Sequence, residues 1–182
     1  MRRGLDFIYR AAGGLAAVFI LAIVVLVFTQ VCLNLADKIA AGLFDKSIGL
    51  TIPSYADFTG FFLAASTFLA LAYTLRAGGH IRVTLLTNRL PARPRRKVDI
   101  FVVLVALAMS GYATWYVILL VGESIEFGDR SSGMVSVPLW LPQLPLALGL
   151  SILTLALADE LVGLLRGHRA TWEDKGENLL SE

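Results

Sequence analysis

Four long runs of apolar residues alternate with shorter polar connections along the chain. None of these runs contains Asp, Glu, Lys or Arg. They cover residues 13–35, 58–75, 100–122 and 139–157. Each has about the 17 to 25 residues that a helix needs to cross a hydrocarbon core roughly 30 Å thick. Lipid offers no partner for a backbone amide, so such runs must be helical. The pattern predicts an all-α integral membrane protein with four transmembrane helices.

The polar residues that flank these runs set the expected domain limits. We expect one transmembrane domain over residues 1–169, with spans at about 13–35, 57–76, 99–122 and 139–165, and a mobile cytoplasmic tail at 170–182. The connection 36–56 carries the apolar pieces IAAGLF and IGLTIP. We therefore expect this connection to be interfacial or covered by a partner.

Short motifs mark the ends of two spans. Ser54 and Asp57 have the spacing of a capping box, in which the serine oxygen accepts an amide of the first turn and the acid favours the positive helix end. Pro138 and Trp140 lead into the fourth span, where proline is tolerated in a first turn and tryptophan anchors at headgroup level. Gln30 and Asn34 lie one turn apart and are predicted to have a structural role.

Small residues recur at helical spacing in the second and third spans. Such residues let helices approach closely, and lipid itself provides no hydrophobic force between helices. They predict packing surfaces. The residues are Gly60, Ala64, Ala65, Ser66, Ala70 and Thr74 in the second span, and Ala106, Ser110 and Thr114 in the third.

The charge distribution predicts an orientation. The chain is 57% hydrophobic and 16% charged, which is too apolar for an ordinary water-soluble domain. Thirteen of the 16 Lys and Arg residues flank one side of the four spans and three flank the other. Because basic residues stay on the cytoplasmic face, both termini and the 76–97 connection are predicted to be cytoplasmic. Arg95, Arg96 and Lys97 should then meet phospholipid headgroups, and a nucleic-acid partner is not expected.

No catalytic, substrate, metal or cofactor site is expected. The four runs contain no ionisable group that could bind a substrate or coupling ion, and Asp57, Asp99, Asp159 and Glu160 lie at span ends, where caps and headgroups account for them. His80 and His168 lie outside the runs, so haem ligation inside the bundle is not expected. Cys32 is the only cysteine, which excludes an internal disulfide.

The basic connection after the second span has its own pattern. Gly78 and Gly79 are placed to end the span in a left-handed turn, with Arg76 favouring the negative helix end. Beyond them, apolar residues at helical spacing predict a cytoplasmic amphipathic helix in the headgroup plane, with His80 at the junction. This helix should end before Pro91.

These motifs together resemble a known family. The stretch Arg76-Ala77-Gly78-Gly79-His80-Ile81-Arg82-Val83, with Asp57 before it and Val137-Pro138-Leu139-Trp140 after it, resembles the small membrane subunit of tripartite ATP-independent periplasmic (TRAP) transporters, the DctQ-like proteins. The length and four-span layout also fit. Thr84 departs from the acidic residue that is frequent in the family.

The resemblance implies a bacterial inner-membrane protein without catalytic activity. In that family a large membrane subunit holds the substrate and sodium sites, and a periplasmic binding protein delivers an organic acid. The small subunit is expected to brace the large one and to help dock the binding protein. The candidates for the loop or partner interface are Asp57, Arg76, Gly78, Gly79, His80, Ile81, Arg82, Pro138 and Trp140. Two alternatives remain open from the residues: a small redox or quinone-binding membrane subunit, and a four-span adaptor unrelated to transport.

Overall fold

The computed structural model describes residues 2–44, 48–78 and 92–167, and this part of the chain forms four long helices. They are α1 (Arg2–Phe44), α2 (Tyr55–Ala77), α3 (Ala92–Glu126) and α4 (Trp140–Leu165). Each contains a stretch long and apolar enough to cross a membrane. The prediction of an all-α protein with four membrane-spanning helices is confirmed. The predicted amphipathic helix and the tail lie outside the described residues.

The four helices pack in the order α1–α2–α4–α3. α2 contacts both α1 and α4, and α4 contacts both α2 and α3, whereas α1 meets α4 only weakly. α2 and α4 are therefore the inner helices, and α1 and α3 are the two outer ones. Several of the predicted small residues are at contacts, since Ala65 and Ser66 of α2 are buried and Thr114 of α3 bonds to Thr154 of α4. The prediction is wrong for Gly60, which is exposed and has nothing within 4 Å of an added methyl group.

α2 and α4 approach each other closely at Gly149. A methyl group added there would overlap the carbonyl group of Phe68 and lie 2.8 Å from the backbone nitrogen of Leu69. Ala65, Ser66 and Leu69 of α2 are buried as well. Close backbone approach increases dispersion contacts, which stabilise helix pairs in lipid.

The α3/α4 contact combines apolar packing with a hydroxyl pair. Val103 packs with Leu157 and Leu164. The hydroxyls of Thr114 and Thr154 lie 3.0 Å apart, and each of these helices contributes one. This bond links the middle of α3 to the middle of α4.

α1 is much longer than the predicted first span. Its 43 residues correspond to about 64 Å at 1.5 Å per residue, roughly twice the thickness of a hydrocarbon core. Residues 36–44, which the sequence analysis placed in a connection, continue the helix. This part contains three alanines, which favour helix, and no proline.

Candidate functional site

Polar contacts are concentrated at the two ends of the bundle. We call the end that carries the start of α1 and the end of α4 the termini end, and the opposite end, which carries the connections 48–54 and 127–139, the loop end. α2 begins at the loop end and finishes at the termini end. The two ends are described in turn.

A cluster of charged and aromatic side chains joins three helices at the termini end. The guanidinium of Arg76 in α2 forms an ion pair with the carboxylate of Asp159 in α4. The guanidinium carbon also lies 4.9 Å from the centroid of the Tyr9 ring in α1, within the range of a cation–π interaction. Tyr9 is only 1% exposed. One cation thereby holds α1, α2 and α4 together.

The predicted roles of Asp159 and Glu160 are wrong. The sequence analysis assigns both acids to caps and headgroups, but Glu160 is only 4% exposed and Asp159 pairs with Arg76. Both acids lie within α4, before its last turn, and Glu160 is buried there. Arg76 likewise extends across to α4 instead of serving only the negative end of its own helix.

Gly78 ends α2 as the sequence predicts. Its φ of 76° and ψ of 14° are left-handed, and its amide bonds to the carbonyl of Leu75. This geometry suits glycine because no Cβ opposes it. The remaining motif residues Gly79, His80, Ile81 and Arg82 lie outside the described residues.

The basic residues that open α3 include one with a specific intramolecular role. Arg96 Nη2 donates to the carbonyl of Leu164 at 2.8 Å and to that of Leu165 at 3.3 Å. These carbonyls lie in the last turn of α4, where that of Leu164 also accepts the amide of Gly167 at 3.1 Å, and a cation there favours the negative helix end. Arg95 is half-buried and Lys97 is exposed. Headgroup contact remains a prediction for all three residues.

At the loop end, Ser54 links α2 to the connection between α3 and α4. Ser54 Oγ accepts a hydrogen bond from the amide of Val135 at 2.9 Å. The predicted capping box is wrong, since Ser54 makes no side-chain bond to its own helix. The backbone at Ser54 is left-handed, with φ of 55°, and this directs the hydroxyl away from the first turn of α2. We call the Ser54–Val135 bond the latch.

The connection held by the latch has an internal hydrogen-bond frame. The amide of Ser131 donates to the carbonyl of Val137 at 2.8 Å, and that of Leu139 to the carbonyl of Asp129 at 2.9 Å. Arg130 Nε donates to Ser136 Oγ at 2.8 Å. The end of α3 is thus tied directly to the start of α4.

Three predicted interface residues are near this frame. Pro138 forms an isolated bridge with Arg130, and Trp140 is the first residue of α4. Asp57 lies in the first turn of α2, close enough to Gly133 that a methyl group on Gly133 would overlap its carboxylate. The structure brings these three together at the loop end. Arg76 and Gly78 lie at the other end of α2.

Gln30 links α1 to the segment that leads into α2. Its Nε2 donates to Asn34 Oδ1 at 2.9 Å and to Thr51 Oγ1 at 3.1 Å, and its Oε1 accepts from the amide of Ile52 at 2.7 Å. Gln30 is only 4% exposed. The predicted structural role for Gln30 and Asn34 is confirmed, although the main partner is a connecting segment.

An apolar groove of about 170 Å³ lies between α1, α2 and the start of α4. No charged or hydrogen-bonding side chain lines it, so its surface suits hydrocarbon and offers nothing to bind a carboxylate. Among the described residues, no group of three or more His, Cys, Asp or Glu is placed to hold a metal ion. The groove is lined by Phe19, Phe58, Phe61, Phe62, Ala65, Val137, Leu141, Pro142 and Pro145.

Sequence reasoning missed Tyr9, Asp159 and Gly149 as contact residues. The signal for Asp159 was present, because Asp159 and Glu160 follow an apolar run without interruption and need compensation if they face a helix. The partner was not identifiable from sequence, since nothing local indicates that α2 adjoins α4. For Gly149 the sequence shows only a glycine in an apolar run, and nothing local distinguishes it from Gly163 later in the same helix.

The fold and these contacts define a multi-pass membrane protein whose helices are joined at both ends. Residues 43–167 match the family model described as tripartite ATP-independent periplasmic transporters, DctQ component. The match covers more than half of the 182 residues, so the chain belongs to the DctQ family and is a component of a TRAP transporter. No curated protein and no solved structure matches the chain. The predicted family is confirmed.

Proposed function

We propose that this chain is the non-catalytic scaffold subunit of a sodium-coupled TRAP transporter for organic acids. In this proposal it braces the large membrane subunit, in which solute and sodium bind. It also helps to dock the periplasmic binding protein. Family membership supports the assignment of the two partner proteins. The polar contacts that join the helices at both ends of the bundle support the bracing role.

The Arg76 cluster is the observation that carries the bracing role. A cation within the membrane-spanning part of a transporter is commonly available to a substrate or ion. Here the guanidinium is paired with Asp159 and lies over Tyr9. The charge therefore holds three helices of the same chain together, as expected of a body that stays fixed while a partner moves.

The loop-end contacts support the docking role. Ser54 and Gln30 hold the two connections to the bundle through hydrogen bonds, and Arg130 bonds to Ser136 within the 127–139 connection. A fixed surface binds a partner at a lower entropic cost than a mobile one. With the termini cytoplasmic, as the basic residues predict, these connections face the periplasm and the binding protein.

Reconstitution tests the proposal. Vesicles with this chain, the large membrane subunit and the binding protein should take up the organic acid when a sodium gradient is imposed. Vesicles with this chain alone should show no uptake above empty vesicles. Sodium-driven uptake by the chain alone would overturn the scaffold role, and so would undiminished uptake by the other two proteins without it.

A further inference from the structure

The loop ends of three helices lie at one level, and α1 continues beyond it. The latch joins the start of α2 to Val135, and the bond from Leu139 to Asp129 joins the start of α4 to the end of α3. Gln30 binds Ile52, two residues before Ser54, so Gln30 marks this level on α1. The helix then continues for residues 31–44, or about 20 Å. We call residues 31–44 the α1 arm.

The arm extends past the depth of a bilayer. Between Tyr9, which contacts the end of α2, and Gln30, which contacts the segment before its start, α1 covers about 32 Å. That length already matches a hydrocarbon core of about 30 Å, and each headgroup layer adds only about 5 to 8 Å. The presence of Asp37 and Lys38 in the arm agrees with a position outside the hydrocarbon.

One side of the arm is covered and the other is an exposed apolar stripe. Asp37 Oδ1 accepts hydrogen bonds from the amides of Ile48 and Gly49, so the connecting segment runs along its side of the helix. The stripe follows four-residue spacing, which places its members in one ridge on a helix surface. It consists of Val31 (57% exposed), Leu35 (57%), Ile39 (52%) and Leu43 (73%).

The stripe continues down α1 into the membrane. Leu21, Phe28 and Leu35 are spaced by seven residues, or about two turns, and all three are more than half exposed. The arm's face alone, about 20 Å long and about 10 Å wide, offers on the order of 200 Å², far below the roughly 800 Å² per partner of a specific interface. A partner that binds the arm stably must therefore follow the stripe to the level of Phe28 and Leu21. Such a partner is itself in the membrane.

The other outer helix has no such projection. α3 ends at Glu126, at the level where α4 begins, so lipid of ordinary thickness can cover its outward face. The difference between α1 and α3 indicates which side of the bundle meets a protein.

We propose that the outward face of α1, from Leu21 through the arm to Leu43, is the surface that packs against a transmembrane helix of the large TRAP subunit. This inference rests on the proposed function, because the large subunit is the membrane partner it assumes. Two other proteins could occupy this face: a second copy of this chain, or the soluble binding protein. The experiment distinguishes each of them from the large subunit.

The test compares two identical substitutions in the co-expressed complex. Ile39 lies on the arm and Ile125 lies near the loop end of α3, and they are 52% and 58% exposed. Ile39→Lys should lower the amount of large subunit that co-purifies by about tenfold, as expected for the loss of one well-packed interface side chain. Ile125→Lys should leave it unchanged. Each variant chain, purified alone, should elute and melt like the unsubstituted chain.

Cysteine protection gives a second readout that needs no destabilising change. In a Cys32→Ser background, Ile39→Cys should react with a maleimide at least about tenfold more slowly in the complex than in the isolated chain. Ile125→Cys should react at the same rate in both. Cross-linking from Ile39→Cys should capture the large subunit.

The outcomes distinguish this inference from the proposed function. If no large subunit co-purifies with the unsubstituted chain, the proposed function fails, and the inference fails with it. If the complex forms but Ile39→Cys is equally reactive in both states, lipid covers the stripe and only the inference fails. Cross-linking of Ile39→Cys to a second copy or to the binding protein alone, or weakening by Ile125→Lys alone, would also overturn it.

Discussion

Arg76 in α2 and Asp159 in α4 form an ion pair although 83 residues separate them. The side chains are 16% and 24% exposed, so the pair lies between the fully buried and the surface cases. Its guanidinium also contacts Tyr9 of α1. The pair therefore fixes the relative position of three helices at the termini end.

Removal of the cation should destabilise the bundle. Arg76→Met leaves two adjacent acids in a covered site, and we expect a loss of about 2 kcal/mol, between the values for surface pairs and fully buried pairs. Adding Asp159→Leu should recover part of that loss, because an apolar pair needs no compensation. Thermal unfolding in detergent measures both, with exposed Lys97→Met as the control. If Arg76→Met has the same melting temperature as the Lys97→Met control, the pair does not stabilise the bundle.

The close approach of α2 and α4 gives a steric prediction. Gly149→Ala should cost about 2 to 3 kcal/mol, since the new methyl group meets the backbone of Phe68, which cannot move independently of its helix. Gly60→Ala in α2 is the matched control, because nothing lies within 4 Å of a methyl group there. The control should be neutral or slightly stabilising, as alanine favours helix. Equal melting temperatures for the two variants would contradict the observed packing.

What could be predicted from the sequence was local. The four helices follow from uninterrupted apolar length, and the end of α2 at Gly78 follows from one residue's conformational freedom. The contacts of Ser54 with Val135 and of Arg76 with Asp159 span 81 and 83 residues. They depend on α2 lying between α1 and α4, and no periodicity or charge pattern within a single helix specifies its neighbours.

The latch predicts a difference between two substitutions of Ser54. Ser54→Ala removes the oxygen that binds the Val135 amide and keeps a side chain in a left-handed backbone, so it should cost about 1 kcal/mol. Ser54→Gly loses the same bond but relieves about 1 kcal/mol of backbone strain. The glycine variant should thus be the more stable. Amide exchange at Val135 should accelerate in both, and unchanged exchange would show that the latch does not hold the connection.

Gln30 gives a prediction about the start of α2. Gln30→Leu keeps the size of the side chain but removes the acceptor for the Ile52 amide and the donor to Thr51. We expect a loss of about 1 to 2 kcal/mol and faster amide exchange at Ile52. Thr29→Val is the control, because Thr29 is exposed and its hydroxyl donates to the carbonyl of Val25 in its own helix. A slow Ile52 amide in Gln30→Leu would contradict the assigned contact.

The basic start of α3 predicts the orientation of the chain. Reversing Arg95, Arg96 and Lys97 to Glu should disturb orientation, because each basic residue near an anionic surface contributes roughly 1 kcal/mol. Ser132→Cys, in a Cys32→Ser background, places an exposed thiol at the loop end. An impermeant maleimide is added to cells whose outer membrane is permeabilised and whose inner membrane is intact. It should label this thiol in the parent and label it less in the reversed variant.

Arg96→Gln alone separates the two roles of Arg96, since it weakens the bonds to Leu164 and Leu165 while leaving the other two cations. It should lower the melting temperature without changing the labelling. Equal labelling of parent and reversed variant would show that these three residues do not set the orientation.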